Sequence, residues 1–296
     1  MAIKKGIYAA SMSIFKDDLS LDVNSTIKHA ERLVKEGCHG VAIFGSTGQS
    51  QLISTKEKKE LIAKLSDSSF KEHFLIGTGA NSLNENIEIM KHCLKNNFNR
   101  FLIMPPAYYK YGDEGAYAFF SNIIQKIPES EIILYNFEKL SGYKFSSQIV
   151  KKLVKNFPKQ ILGIKDSTYN LYETLRIPNF LVFPGSETKL LKGLELGCSG
   201  IISAVCNVTA PLARKVYDDF VSKKKQTFNN KLCAVRSTFD NFNLISGVHT
   251  FMSIEDKKYK NILPPLNLLS EVQKRELMLK LKELDFFPKK LKQHQL

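Results

Sequence analysis

The chain has 296 residues, of which 43% are hydrophobic and 24% are charged, and its formal net charge at pH 7 is +14. That length suffices for one large α/β barrel or for two ordinary domains. No run approaches the ~18 uncharged apolar residues of a membrane-spanning helix, and the N-terminus lacks the apolar core of a secretory signal, so we expect a cytoplasmic protein that has no membrane partner.

The positively charged residues are distributed along the chain and do not form one strongly basic segment. Lysines lie on predicted helix faces, for example Lys56, Lys59 and Lys64, whereas arginine, the better reader of nucleic-acid grooves, occurs six times. We therefore expect no nucleic-acid partner.

The cysteines show neither a CxxC spacing nor an even number. Each stands in an apolar context, which is typical of buried thiols rather than of disulfides or metal ligands. We expect no metal site. The five cysteines are Cys38, Cys93, Cys198, Cys206 and Cys233.

Short apolar runs alternate with amphipathic segments about eight times, in repeats of about 28 residues. Helical spacing relates Ile27, Ala30 and Val34, and Ser54 with Glu57 forms a capping-box sequence. Such repeats pair in parallel. They predict a (β/α)8 TIM barrel over residues 1–222, followed by an appended C-terminal helical region over residues 223–296. The predicted strands are 6–10, 40–44, 74–77, 100–104, 132–135, 161–165, 180–183 and 200–203.

Two of the runs end in residues that can perform chemistry. Lys165 ends the sixth run, where an apolar wall favours a neutral amine that can attack a ketone. Tyr135 ends the fifth, and a phenol beside an amine can carry protons while a Schiff base forms and breaks. Chemistry in this fold sits at the C-terminal strand ends. Alternatively, Lys165 is a solvated residue at a strand edge.

Six motifs in chain order resemble the dihydrodipicolinate synthase and N-acetylneuraminate lyase family, whose members are Schiff-base aldolases that use pyruvate. The resemblance spans nearly the whole chain, including Leu263-Pro-Pro-Leu266 in the helical region. The motifs are Gly45-Ser-Thr-Gly-Gln49, Pro105-Pro-Ala-Tyr-Tyr109, Tyr135-Asn136, Gly163-Ile-Lys-Asp-Ser167, Gly185-Ser-Glu187 and Gly200-Ile-Ile-Ser203.

The resemblance implies a role for each matching residue. Lys165 would form an imine with pyruvate, so no further cofactor is expected. Tyr135 would relay protons with Ser46 and with Tyr108, the last supplied by the neighbouring subunit of a tight dimer. The loop at Ser46 would bind the pyruvate carboxylate, although it could also be an ordinary turn, and the aromatic residues near Tyr108 could simply pack an interface. Residues expected to contact substrate are Thr47, Gly48, Ser167, Gly185, Glu187, Ile202 and Leu140.

Departures from the family pattern bear on the second substrate. Leu140 stands where the synthases carry an arginine that clamps the carboxylate of aspartate semialdehyde, and losing a bidentate partner costs roughly 2–5 kcal/mol of recognition. Lys139 is a neighbour that could partly replace that clamp. Glu138 replaces a proline usual in the lyases, and Gln49 replaces the usual glutamate. Glu187 retains one acid in the seventh-strand loop, which favours a hydroxylated substrate.

These observations predict a lyase that joins or cleaves pyruvate and a hydroxylated aldehyde, with a 2-keto-3-deoxy sugar acid or a sialic-acid-like compound as substrate. Dihydrodipicolinate synthase activity, which condenses pyruvate with aspartate semialdehyde, is the alternative within the same mechanism. A non-catalytic barrel that binds sugar acids or serves in assembly is the alternative of another class. We expect a homo-oligomer, a tetramer built as a dimer of dimers.

Overall fold

A computed structural model describes residues 3–288, and eight parallel strands form its centre. Each strand is short and its residues are almost all buried, as expected for a parallel sheet covered by helices. The strands are β1 (Gly6–Ala10), β2 (Gly40–Ile43), β3 (Phe74–Gly77), β4 (Arg100–Ile103), β5 (Glu131–Asn136), β6 (Ile161–Asp166), β7 (Leu181–Pro184) and β8 (Gly200–Ser203).

The strands curl into a barrel in which neighbours in space are neighbours in sequence. The order runs from β7 through β6 and onward to β1, and β1 then pairs with β8. The backbone N–H of Ser199 donates to the Val182 carbonyl at 2.8 Å and brings the β8 end of the chain onto β7. The predicted (β/α)8 barrel is confirmed.

Amphipathic helices surround the strands. The capping box predicted at Ser54 is present: its hydroxyl accepts from the Glu57 backbone, and the Glu57 carboxylate accepts from the Ser54 backbone. Ala30, Leu61 and Ile62 are buried against the barrel. The helices are α1 (Val23–Lys35), α2 (Thr55–Leu65), α3 (Leu83–Lys95), α4 (Asp113–Lys126), α5 (Glu138–Ser141), α6 (Ser147–Asn156), α7 (Leu190–Glu195), α8 (Cys206–Val221), α9 (Asn229–Asp240), α10 (Leu244–Glu255) and α11 (Glu271–Glu283).

The structure differs from the predicted repeat between β6 and β7. Residues 167–180 form turns instead of a helix, since Asp166 accepts hydrogen bonds from the backbone of Tyr169, Leu171 and Tyr172 and so holds the chain in a tight loop. Pro178 and Asn179 form a further turn shortly before β7. The loop after the candidate lysine is therefore rigidly tied to its strand.

Helices α9, α10 and α11 pack on one another and on the barrel. Their buried residues, among them Val235 and Phe251, share an apolar cluster with Met12 and Ile14, which follow β1. The boundary after residue 222 remains a prediction, and residues 289–296 of the predicted helical region lie outside the described part. Within residues 3–288, no helix is long and apolar enough to cross a membrane.

The cysteine side chains are free thiols. Cys38, Cys93, Cys198 and Cys206 are buried and Cys233 is half-buried. Burial raises the pKa of the Cys38 thiol to about 12. In the part of the chain that the structure describes, no three His, Cys, Asp or Glu side chains are grouped to hold a metal ion.

Candidate active site

Lys165 and Tyr135 lie side by side at the C-terminal end of the barrel. They are register partners on β6 and β5, and the Lys165 Nζ stands 4.0 Å from the centroid of the Tyr135 ring. Lys165 is 3% exposed and Tyr135 is 4% exposed. The lysine is therefore a buried strand-end residue that faces an aromatic ring, and the solvated-edge alternative does not describe it.

The Tyr135 hydroxyl reaches the loop after β2. It lies 3.0 Å from the Ser46 Oγ, so the two hydroxyls can pass a proton between them. This loop is a tight turn in which the Gly48 amide donates to the Gly45 carbonyl at 3.1 Å and the Gln49 amide donates to the Ser46 carbonyl at 3.0 Å. The turn presents Ser46 and Thr47 to the same cavity as Lys165.

Gly48 has a packing role in that turn. A Cβ at this position would stand 2.9 Å from the Ser11 carbonyl oxygen and 3.2 Å from the Ser13 Oγ. Only glycine allows the loop to lie this close to the segment after β1, where the Ser13 hydroxyl donates to the Gly48 carbonyl at 2.7 Å. Gly48 is buried behind the cavity wall and does not line it.

A cavity of about 830 Å³ opens above Lys165 at this end of the barrel. Seven of the predicted catalytic and substrate-contact residues line it: Ser46, Thr47, Tyr135, Leu140, Lys165, Ser167 and Gly185. The other polar residues of its wall are Glu138, Lys139, Thr168, Tyr169, Ser186, Thr188, Lys189, Arg236, Asp240 and Asn243. A second cavity of about 360 Å³ shares Ser46, Tyr135 and Leu140 with the first.

Glu187 lies behind this wall. It is 0% exposed, and its Oε2 accepts from the Arg236 guanidinium at 2.7 Å and from the Ser203 hydroxyl at 2.7 Å. Asp240 accepts from the Nε of the same arginine at 2.8 Å. The Glu187 carboxylate therefore pairs with Arg236 and does not line the cavity. Arg236 and Asp240 line the cavity instead. Sequence reasoning missed both; their i, i+4 spacing on a predicted helix was the available signal.

Two other predicted residues also stand away from the cavity. Ile202 is fully buried in the apolar cluster inside the barrel that includes Tyr135, and therefore supports the site from below. Tyr108 is 88% exposed, packs edge-on against Tyr109 with ring centroids 5.1 Å apart, and has a backbone φ of 83°. Within one subunit, Tyr108 projects outward.

Gln49 ties the Ser46 loop to the C-terminal helices. Its Oε1 accepts from the Leu263 amide at 2.7 Å, and its Nε2 lies 3.3 Å from the His249 Nε2. The His249 Nδ1 lies 3.0 Å from the Tyr259 carbonyl, which can only accept, so Nδ1 carries the proton and the bare Nε2 accepts from Gln49. The Gln49 amide can accept from Leu263 and donate to His249, whereas a carboxylate could only accept.

Burial keeps this histidine neutral. Desolvation lowers the pKa of His249 to about 4, and the hydrogen bond to Tyr259 opposes the shift. His29, which contacts the Tyr259 hydroxyl at 2.9 Å, is likewise buried, and its pKa falls to about 3 mainly through desolvation. The two imidazoles are structural members of the interface between barrel and helices.

Known proteins resemble the chain along nearly its whole length. A sequence model of the Dihydrodipicolinate synthetase family matches residues 4–284. The 4-hydroxy-tetrahydrodipicolinate synthase of Methanothrix thermoacetophila is 26% identical over 292 residues, covering 95% of this chain and 98% of that protein. The protein of the same name from Hydrogenobaculum sp. is 31% identical over 208 residues, covering 69% and 71%. The crystal structure of dihydrodipicolinate synthase from Agrobacterium tumefaciens has a TM-score of 0.85 at 24% identity, covering 95% and 99%, and shares the fold.

Proposed function

Because this chain belongs to the dihydrodipicolinate synthetase family, we propose that Lys165 forms an imine with pyruvate and that Tyr135 and Ser46 move the protons of the reaction. The chain is a pyruvate-dependent class I aldolase, an enzyme that makes or breaks a carbon–carbon bond. The observation that carries the assignment of roles is the contact of Lys165 with Tyr135 and of Tyr135 with Ser46 at the floor of one cavity.

The proposed reaction uses each group in turn. The Lys165 amine adds to the C2 carbonyl of pyruvate and water leaves, which gives the imine. Tyr135 gives its proton to the hydroxide that leaves as this water, and the resulting phenolate then takes a proton from C3. This step gives an enamine, because the iminium nitrogen accepts the electron pair, and it restores the phenol. C3 then attacks the aldehyde carbon, and the new alkoxide takes a proton from the Tyr135 phenol. Water releases the product from Lys165, so the imine replaces an external cofactor.

The Ser46 loop supports the binding of pyruvate. The hydroxyls of Ser46 and Thr47 and the backbone amides of a tight turn are donors that suit a carboxylate. Their position beside Tyr135 and Lys165 brings the carboxylate next to the ketone that reacts.

For the second substrate we propose a hydroxylated aldehyde, so that the product or substrate is a 2-keto-3-deoxy sugar acid or a sialic-acid-like compound. Leu140 lines the cavity without a guanidinium, and hydroxyls of Ser167, Ser186 and Thr188 line the same cavity. An unpaired carboxylate against Leu140 would lose its hydration without gaining a partner.

Aspartate semialdehyde is the second candidate, and the position of one lysine favours it. Lys139 lines the cavity directly beside Leu140 and supplies a cation near the position of the missing arginine. Relatives that carry the synthase name include the proteins from Methanothrix thermoacetophila and Hydrogenobaculum sp..

A second copy of the chain is the proposed protein partner. Tyr108 and Tyr109 are 88% and 75% exposed, an exposure that suits aromatic residues which a neighbouring subunit covers. In such a dimer Tyr108 would extend the proton relay of the neighbour, and two dimers would form a tetramer.

Reduction with borohydride tests the imine. Pyruvate plus borohydride should add a stable mass to Lys165 and to no other lysine, because only an imine is reduced in place. Condensation of pyruvate with a panel of aldehydes, followed by identification of the adducts, then ranks the two substrate classes. Trapping at another lysine, or the lack of any trapped adduct, would contradict the mechanism.

A further inference from the structure

The loop after Lys165 holds Tyr169 in a left-handed backbone conformation with φ of 63°. An aromatic residue rarely adopts this conformation, which glycine adopts without strain. The Tyr169 amide donates to the Asp166 Oδ1 at 2.9 Å, and Asp166 is fully buried, so the strained backbone is firmly held. Strain of this kind concentrates at functional sites, which makes the side chain at this position informative.

The Tyr169 side chain lines the same cavity as Lys165. The Lys189 Nζ lies 5.7 Å from the centroid of its ring. Burial raises the pKa of the Tyr169 phenol, and the nearby Arg236 guanidinium and Ser186 hydroxyl act in the opposite direction. The phenol therefore carries its proton at neutral pH and can both donate and accept a hydrogen bond.

One residue that was expected to bind a substrate hydroxyl, Glu187, already has protein partners. Glu187 was expected to hold a substrate hydroxyl, but it is 0% exposed and its carboxylate binds Arg236 and Ser203. Ser46 and Thr47 serve the pyruvate carboxylate in the proposed function. Polar groups of the β6 and β7 loops, Tyr169 among them, are left for the aldehyde.

We propose that Tyr169 is a specificity-determining residue that binds a hydroxyl of the aldehyde chain, on the cavity wall that it shares with Ser186 and Arg236. The inference rests on the proposed function, because the aldehyde binds after pyruvate has reacted with Lys165. The ligand class is a neutral polyhydroxylated aldehyde, since a phenol that donates and accepts matches an alcohol group.

Two variants distinguish the effect of the Tyr169 side chain from the effect of its backbone conformation. Tyr169→Phe keeps the ring and removes the hydroxyl, whereas Tyr169→Asn keeps a residue that tolerates the left-handed conformation and removes the ring. Tyr117→Phe, on α4 and outside the cavity, is the matched control. For each protein, kcat/KM is measured with pyruvate and D-erythrose and with pyruvate and acetaldehyde, and borohydride trapping of pyruvate alone is measured by intact mass.

We expect the ratio of kcat/KM for D-erythrose to that for acetaldehyde to fall about 3- to 10-fold in Tyr169→Phe and about 10- to 100-fold in Tyr169→Asn. Trapping of pyruvate alone should stay within about 2-fold of the parent, and the control should match the parent. An unchanged ratio overturns the proposal. So does a parallel loss of trapping and of both condensations, since Tyr169 would then act on Lys165 instead of on the aldehyde. Failure of the parent to trap pyruvate would instead refute the proposed function.

Discussion

Asn136 and Asp166 are joined by a hydrogen bond of 2.9 Å between Asn136 Nδ2 and Asp166 Oδ1, one residue beyond the register pair of Tyr135 and Lys165. Successive side chains of a strand point to opposite faces, so this buried pair lies on the side of the barrel wall away from the cavity. It locks the ends of β5 and β6 together. The distance between the candidate nucleophile and its proton carrier is thereby fixed.

Replacing the candidate nucleophile tests its covalent role. Lys165→Arg should abolish turnover and borohydride trapping while the barrel stays folded, because arginine keeps the positive charge but cannot form this imine. The measurements are steady-state kinetics, intact mass and thermal unfolding. Lys155→Arg, an exposed lysine on α6, is the matched control and should behave like the parent. Residual turnover with a trapped adduct elsewhere would assign the imine to another lysine.

Tyr135→Phe should lower kcat by about 10²- to 10⁴-fold, the range for a lost general acid or base. The KM for pyruvate should change much less, since the proposed contacts of Ser46 and Thr47 with the carboxylate remain. Steady-state kinetics with varied pyruvate and a fixed aldehyde measure kcat and KM separately. An unchanged kcat with a raised KM would show that Tyr135 only lines the cavity and transfers no proton.

Leu140→Arg should create activity toward aspartate semialdehyde. A guanidinium at this place can hold a carboxylate with two hydrogen bonds, whereas the native leucine cannot. We expect negligible dihydrodipicolinate formation by the parent and a gain of at least about 10-fold in the variant. Leu140→Met, which keeps the apolar wall, is the control. Efficient dihydrodipicolinate formation by the unmutated protein would show that Lys139 or another cation replaces the clamp, and would reverse the order of the two substrates.

Gln49→Glu should weaken the anchor of the Ser46 loop. A carboxylate still accepts from the Leu263 amide but cannot donate to the His249 Nε2. Its oxygen and the unprotonated Nε2 are then two acceptors that repel each other, unless the imidazole takes up a proton. We expect a loss of about 1–3 kcal/mol in the free energy of unfolding at pH 8, and a higher KM for pyruvate.

Lower pH should restore part of the stability of Gln49→Glu relative to the parent, because a charged pair with His249 then forms. Urea unfolding at pH 8 and at pH 6 measures this. Gln51→Glu, exposed on the same loop, is the matched control. Equal pH dependence in Gln49→Glu and its control would refute the assigned tautomer of His249.

The stability of the protein should fall on acidification. The pKa of His249 drops from 6.5 to about 4 on folding, so between these values the unfolded chain binds more protons than the folded one. The free energy of unfolding therefore decreases as the pH falls through this window, by about 1.4 kcal/mol per pH unit for each such histidine, and levels off below it. His29 adds a contribution of the same sign.

Urea unfolding of the parent and of His249→Gln at several pH values between 4 and 7 measures this slope. The variant should have the shallower dependence, because it has lost one group that the fold keeps neutral. Identical slopes would show that His249 does not titrate differently in the two states.

The sequence by itself determined the barrel and the order of its functional strand ends. Apolar runs mark strands because parallel strands are buried on both faces, and the strands β1, β3 and β8 begin and end where the runs do. Ser54 and Glu57 determined the start of α2 through contacts three residues apart. Lys165 and Tyr135 could be predicted as site residues for the same reason, since each stands at the end of such a run.

Only the tertiary structure decided which polar side chains line the cavity. Glu187 and Arg236 are far apart in sequence, and their contact buries the acid that was expected to bind a hydroxyl. Gln49 meets His249 across the junction of barrel and helices, and Tyr169 enters the cavity through a backbone conformation that no periodicity indicates. Local patterns report burial and turn geometry, whereas the partner of a charged or polar group is chosen by packing between distant segments.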